Sequence, residues 1–97
     1  MTTLHLVRQS AFNSQELFQC SQIILPADIL VLIDDGCYNL NHTLLTNIKN
    51  IISVKNIKVI QHHVSARGLN VPEFIEVISM NELVNLTFDT ENVITWQ

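Results

Sequence analysis

Four short apolar runs punctuate the chain: LHLV (4–7), ILVLI (29–33), IKVI (57–60) and FIEVI (74–78). Each has the length and the β-branched or bulky make-up of a strand. ILVLI is continuous rather than alternating, the pattern of a central parallel strand covered on both faces. Between the runs the spacing of apolar residues changes from two to three and four. After the first strand, Ser14 is positioned to cap a helix in which Leu17, Cys20 and Ile24 share one face.

The stretch NHTLLTNIKNIISV (41–54) carries the clearest helical period. Leu44, Leu45, Ile48, Ile51 and Ile52 repeat every three or four positions, and Asn47, Lys49 and Asn50 turn outward. Asn41 or Thr43 is the expected cap. HVSARGL (63–69) reads as a short helical turn closed by Gly68, a residue free to take the left-handed conformation. NELVNLTF (81–88), capped by Asn81 or Ser79, is expected to turn Leu83, Leu86 and Val84 inward. VITWQ (93–97) adds a final edge strand.

Strand and helix alternate four times. Such a series predicts parallel strands joined by right-handed crossovers. The expected architecture is a single α/β domain spanning 1–97, a doubly wound three-layer sandwich with a mainly parallel sheet and helices on both faces.

Composition adds a constraint on solubility. Of 97 residues 47% are hydrophobic and only 14% charged, against roughly 25% charged in ordinary soluble domains. A chain this short buries roughly 60–70% of its unfolded surface, which leaves a thin stability margin. Few charges and a small core predict that the chain does not stand alone as a monomer. The segment Gly36 to Leu40 and the helix 43–54 are the expected contact face, with Tyr38 as aromatic anchor.

The net charge is −4, and the basic residues Arg8, Lys49, Lys55, Lys58 and Arg67 form no stripe. Direct nucleic-acid binding is therefore not expected. No apolar run approaches the roughly 20 residues of a membrane span, and the start lacks a signal peptide's pattern. A cytoplasmic protein is expected, so its two cysteines read as free thiols. The sequons at Asn41 and Asn85 have no meaning in that compartment.

In folds of this class ligands bind beyond the carboxyl ends of the strands. Three groups fall there: Arg8, Gln9 and Ser10; Asp34 to Tyr38; and Gln61, His62 and His63. Asp34 and Asp35 are compatible with Mg²⁺, but no further carboxylate stands at another strand end, and a turn at Asp35-Gly36 explains them as well. Cys37 is a candidate nucleophile if it is exposed and if His62 or His63 lowers its pKa. Adjacent strand residues point to opposite sides, so these two histidines do not share a metal. Cys20, on the apolar helix face, is expected to be buried, and His5 reads as a satisfied core or interface group. No CxxC, phosphate loop or GxGxxG occurs, so no cofactor is expected. A phosphoacceptor-like metal enzyme would need Asp34 and Asp35, and a self-contained thiol enzyme would need Cys37.

The ordered landmarks LHLVRQSAF, DILVLIDDGCY, ARGL and NELVNLTFDTENVITW resemble the TusB/DsrH family. Asp35-Gly36 matches that family's DG turn, Ala66 to Leu69 its ARGL, and Leu86-Thr87 with Trp96 its closing pattern. Arg8 to Ala11 lacks the usual SP pair, Asp34 replaces a common glutamine, and Cys37 stands where valine or isoleucine is frequent. The resemblance implies a DsrE-like, flavodoxin-like fold and a non-catalytic subunit of a sulfur-relay complex. Its partners would be two sister subunits, TusC-like and TusD-like, in a heterohexamer whose persulfide cysteine lies on a sister. Sulfur would pass to a downstream carrier and on to 2-thiouridine at the tRNA wobble position, with tRNA met only indirectly. The DsrH branch would serve sulfur oxidation instead, and there Cys20 is a possible sulfur acceptor.

Overall fold

β1 (Thr3–Val7) lies between β2 (Ile29–Leu32) and β5 (Asn92–Trp96), with β3 (Ile57–Ile60) and β4 (Glu76–Ile78) continuing beyond β2. The computed structural model describes residues 2–96. All five strands are parallel, in the order β4-β3-β2-β1-β5. Leu4 pairs with Ile29 on one side and with Val93 on the other.

The order of strands dictates where the helices go. The steps β1 to β2, β2 to β3 and β3 to β4 move in one direction, so right-handed crossovers put their helices on one face. These are α1 (Glu16–Ile23), α2 (Thr43–Lys49) and α3 (Gln61–Ala66). The step from β4 to β5 reverses across the sheet and carries α4 (Met80–Asp89) to the other face. Two cores result. The larger joins Leu30, Leu32, Ile57 and Val59 of the sheet to Leu17, Cys20, Leu45, Ile48 and Val64 of the three helices. The smaller sets Leu4, Val31, Ile60 and Ile78 against Leu83 of α4. Alternate residues of ILVLI feed different cores, which is why that run has no polar gap.

Local chemistry departs from the expected pattern at several ends. Ser14 does not cap α1. Its hydroxyl donates to Ser10 O at 3.0 Å, and the helix starts one residue later with no side-chain cap. α2 is capped by His42, whose Nδ1 accepts from Leu44 N at 3.0 Å, rather than by Asn41 or Thr43. That helix ends at Lys49, short of Val54, and Ile51 is exposed while Ile52 remains in the core. β4 is shorter than FIEVI. Ile75 precedes it in the main core, and the exposed Phe74 ring receives Lys49 Nζ at 4.1 Å from its centroid.

Two expectations hold in detail. Gly68 has φ of 62° after α3, and Ser79 forms a capping box with Glu82 at the start of α4. On α4, Leu83 and Leu86 face the sheet, but Val84 does not. Met80, Val84 and Phe88 recur at four-residue intervals on the solvent side, Phe88 with 82% of its surface exposed.

Candidate functional site

At the carboxyl end of the sheet three segments meet: the exit of β1, the segment after β2, and α3. The segment after β2 is an eight-residue 3₁₀ helix, Asp34–Asn41, where a simple turn was expected. Cys37 and Leu40, three positions apart, fall on its buried side. Gly36 permits the tight approach of this helix to β1. A Cβ there would lie 2.0 Å from Val7 O, so no larger residue fits without moving backbone.

Asp34 opens that helix with φ of 49°, a left-handed conformation that aspartate tolerates better than most residues. Three neighbours hold it. Its backbone N–H donates to His63 Nδ1 at 2.9 Å, its Oδ2 accepts from Arg8 Nε at 3.0 Å, and its Oδ1 lies 3.9 Å from His63 Nδ1. Because Nδ1 accepts, the proton of neutral His63 sits on Nε2. Asp35 accepts from both Nε and Nη2 of Arg67, at 3.2 and 3.0 Å, on one oxygen, Oδ1. Arg67 Nη1 also donates to His63 O. These ion pairs are partly exposed, so each contributes about 0–1 kcal/mol. Their effect is to fix the geometry of three strand exits.

Asn39 was missed in the sequence and does as much as any charge here. Buried, it accepts from Ala11 N through Oδ1 at 2.7 Å and donates to Gln9 O through Nδ2 at 3.0 Å. It thereby stitches the β1 exit to the 3₁₀ helix. Both bonds span about thirty residues, a distance at which periodicity gives no signal.

The cysteines are closed off. Cys37, a candidate nucleophile only if exposed, is wholly buried, with its Sγ 3.6 Å from Leu32 O. Burial pushes its thiol up to about 11, against a smaller lowering by Arg67. Neither histidine serves it: His63 is engaged with Asp34, and His62 is exposed on α3. Cys20 is buried as its helix spacing predicts, and burial with the nearby Asp28 charge pushes it up to about 12. Thiolate, the nucleophilic form, is disfavoured at both positions.

Of the residues expected at a contact face, Gly36 and Leu40 are buried against their own chain, and Tyr38 is exposed. Tyr38 borders a cavity of about 380 Å³ with Ser10, Phe12, Asn13, Asp35 and Asn41. As for metal, among the described residues no three His, Cys, Asp or Glu side chains converge. Both aspartates are directed to arginines instead.

A second polar cluster lies inside the large-core side. His5 Nε2 donates to Asp28 Oδ2 at 2.9 Å, and Trp96 Nε1 donates to His5 Nδ1 at 3.2 Å. The Trp96 N–H can only donate, so Nδ1 accepts and the His5 proton is on Nε2. Asp28 also accepts from Thr3 N and Leu25 N. Burial raises its pKa, but the bonds from Leu25, His5 and Thr3 outweigh that and hold it below the usual carboxylate range. His5 is thus a satisfied core group.

Among the described residues no helix is long and apolar enough to cross a membrane. The family model described as "DsrH like protein" matches residues 9–93. No curated protein matches the chain. Two solved structures are similar in fold. The Escherichia coli ychN protein superposes with a TM-score of 0.68 at 17% identity, over 98% of this chain and 99% of that one. Protein Tm0979 of Thermotoga maritima gives 0.64 at 20% identity, over 90% and 92%.

Proposed function

Since this chain belongs to the DsrH-like family, we propose that it is a non-catalytic subunit of a cytoplasmic sulfur-relay assembly. In this reading two sister subunits of the same fold complete a heterohexamer, and one of them carries the persulfide. The sulfur goes to a downstream carrier and then to 2-thiouridine at the tRNA wobble position. The observation that carries the reading is the state of the two thiols: both are buried with raised pKa values. A sulfur carrier needs a reachable thiolate. The exposed row Met80, Val84 and Phe88 on α4 and the exposed Tyr38 support a shared surface, since scattered single apolar residues are normal but a contiguous row is not.

The test is to express the chain with both sister subunits, determine the mass by light scattering, and map persulfides by mass spectrometry after adding a sulfur donor. The expected result is one stable assembly with persulfide on a sister and none on Cys20 or Cys37. Persulfide on either cysteine of this chain would overturn the non-catalytic role. Deleting the gene and measuring 2-thiouridine in bulk tRNA tests the destination. Unchanged 2-thiouridine, with loss of sulfur oxidation, would redirect the relay to the second pathway.

A further inference from the structure

The cavity beside Tyr38 has a chemistry of its own. It lies over the exits of β1 and β2, the place where open α/β sheets accept ligands, and its 380 Å³ is within the range of small-ligand pockets. Two aromatic rings from different segments border it. Phe12 comes from the β1 exit with 63% of its surface exposed, and Tyr38 comes from the 3₁₀ helix. Phe12 is held edge-on by His42, with ring centroids 4.7 Å apart. An exposed phenylalanine fixed in this way has no role in either core.

The charge of the lining is of one sign. Ser10, Asn13, Asn41 and Tyr38 can both accept and donate hydrogen bonds, and the one charged side chain among the lining residues is the acceptor-only Asp35 carboxylate. Arg67 binds Asp35 through Oδ1 alone. No basic side chain lines the cavity, so the charge there disfavours an anion.

We propose that this cavity is a binding site for a guanidinium group, presented by an arginine side chain of a partner protein. A guanidinium is planar, stacks on aromatic faces, and carries five N–H donors and no acceptor. It matches two rings and a carboxylate better than an ammonium, which is compact and strongly hydrated. The proposal gives the Tyr38 surface a ligand class. It stands or falls separately from the relay reading, because the cavity belongs wholly to this chain.

The experiment is a nuclear magnetic resonance titration of the isotope-labelled full chain, as it purifies alone or with its partners, using N-acetyl-arginine N-methylamide. Saturable shifts are expected at the amides of 10–13 and 35–41 and at the Tyr38 ring. The matching lysine compound should bind more weakly and the glutamate compound not at all. Phe12→Ala, a change at an exposed ring outside both cores, should weaken arginine binding about threefold to tenfold. Asp35→Asn should weaken it by at least as much. Absence of saturable shifts, equal shifts with the glutamate compound, or binding unchanged in both variants would overturn the proposal.

Discussion

The two faces of the sheet have different amounts of cover. One carries three helices and seals both cysteines, the His5–Asp28–Trp96 cluster and most of the buried side chains. The other carries a single ten-residue helix over five strands, and that helix keeps an apolar row toward solvent. The difference follows from one reversal of direction in the strand order. It teaches that most of the buried core lies on one side of the sheet, while the lone helix on the other side keeps an apolar row open to contact.

The severest way to break the sealed side is Gly36→Ala. The new Cβ would collide with Val7 O in backbone that cannot swing aside. The expected loss is roughly 3 kcal/mol or more, a large part of the 5–15 kcal/mol typical of a whole domain. Urea denaturation checks this, and a midpoint within error of the parent would show that the 3₁₀ helix is loosely seated.

Next comes a direct contrast between the faces. Ile48→Ala empties a fully buried site between α2 and the sheet and should cost about 2–5 kcal/mol. Val84→Ala on the outer row of α4 should stay within about 0.5 kcal/mol in the purified chain, and the better helix propensity of alanine pushes it toward stabilisation. If the two variants melt alike, the outer row of α4 is not free surface.

A smaller effect is expected from pH. The Asp28 carboxyl is held below its usual range in the folded chain. Its contribution is therefore present above the unfolded value of about 3.9 and is lost as pH falls below that toward the folded value. Thermal unfolding followed from pH 6 down to pH 3 should show a fall in stability that is shallower in Asp28→Asn. A parallel fall in both proteins would assign the acid sensitivity elsewhere.

The smallest effect on the fold should come from Phe88→Ala, within about 0.5 kcal/mol by the same unfolding measurement. Its consequence is expected in assembly. Light scattering of the variant with the proposed sister subunits should show weakened association, and an unchanged mass at all concentrations would move the contact surface away from α4.

What could be read from the sequence divides along the same physical line. The four strands, the helices between them and the burial of Cys20 were legible, because each rests on spacing within one element. ILVLI announced its double coverage by having no polar residue. The 3₁₀ helix at 34–41 was not recognised, since Asp-Asp-Gly reads as turn chemistry and the three-residue step from Cys37 to Leu40 is too short a pattern to stand out. The burial of Cys37 was accordingly not legible from its place after the turn. The cap of α2 escaped because histidine is outside the usual set of capping residues. Val84, expected inward, faces solvent because a helix resting on one sheet face buries fewer positions than one wedged between neighbours. Asn39, and the bond from Trp96 to His5, join residues far apart in the chain, and only the folded arrangement brings them together.

The pairing of β1 with β5 has a consequence for how the protein is made. Thr3 lies beside Asn92 and Val7 beside Trp96, so β1 leaves the ribosome well before β5, the strand that satisfies one of its edges. Through most of synthesis β1 offers an open row of backbone donors and acceptors, the kind of edge on which strands of other chains add. The nascent protein is thus most exposed to mispairing and to chaperone capture until the residues 92–96 have emerged. A ribosome-stalled chain ending before Asn92 is expected to remain sensitive to protease, and one extended to bring Trp96 clear of the exit tunnel to become resistant.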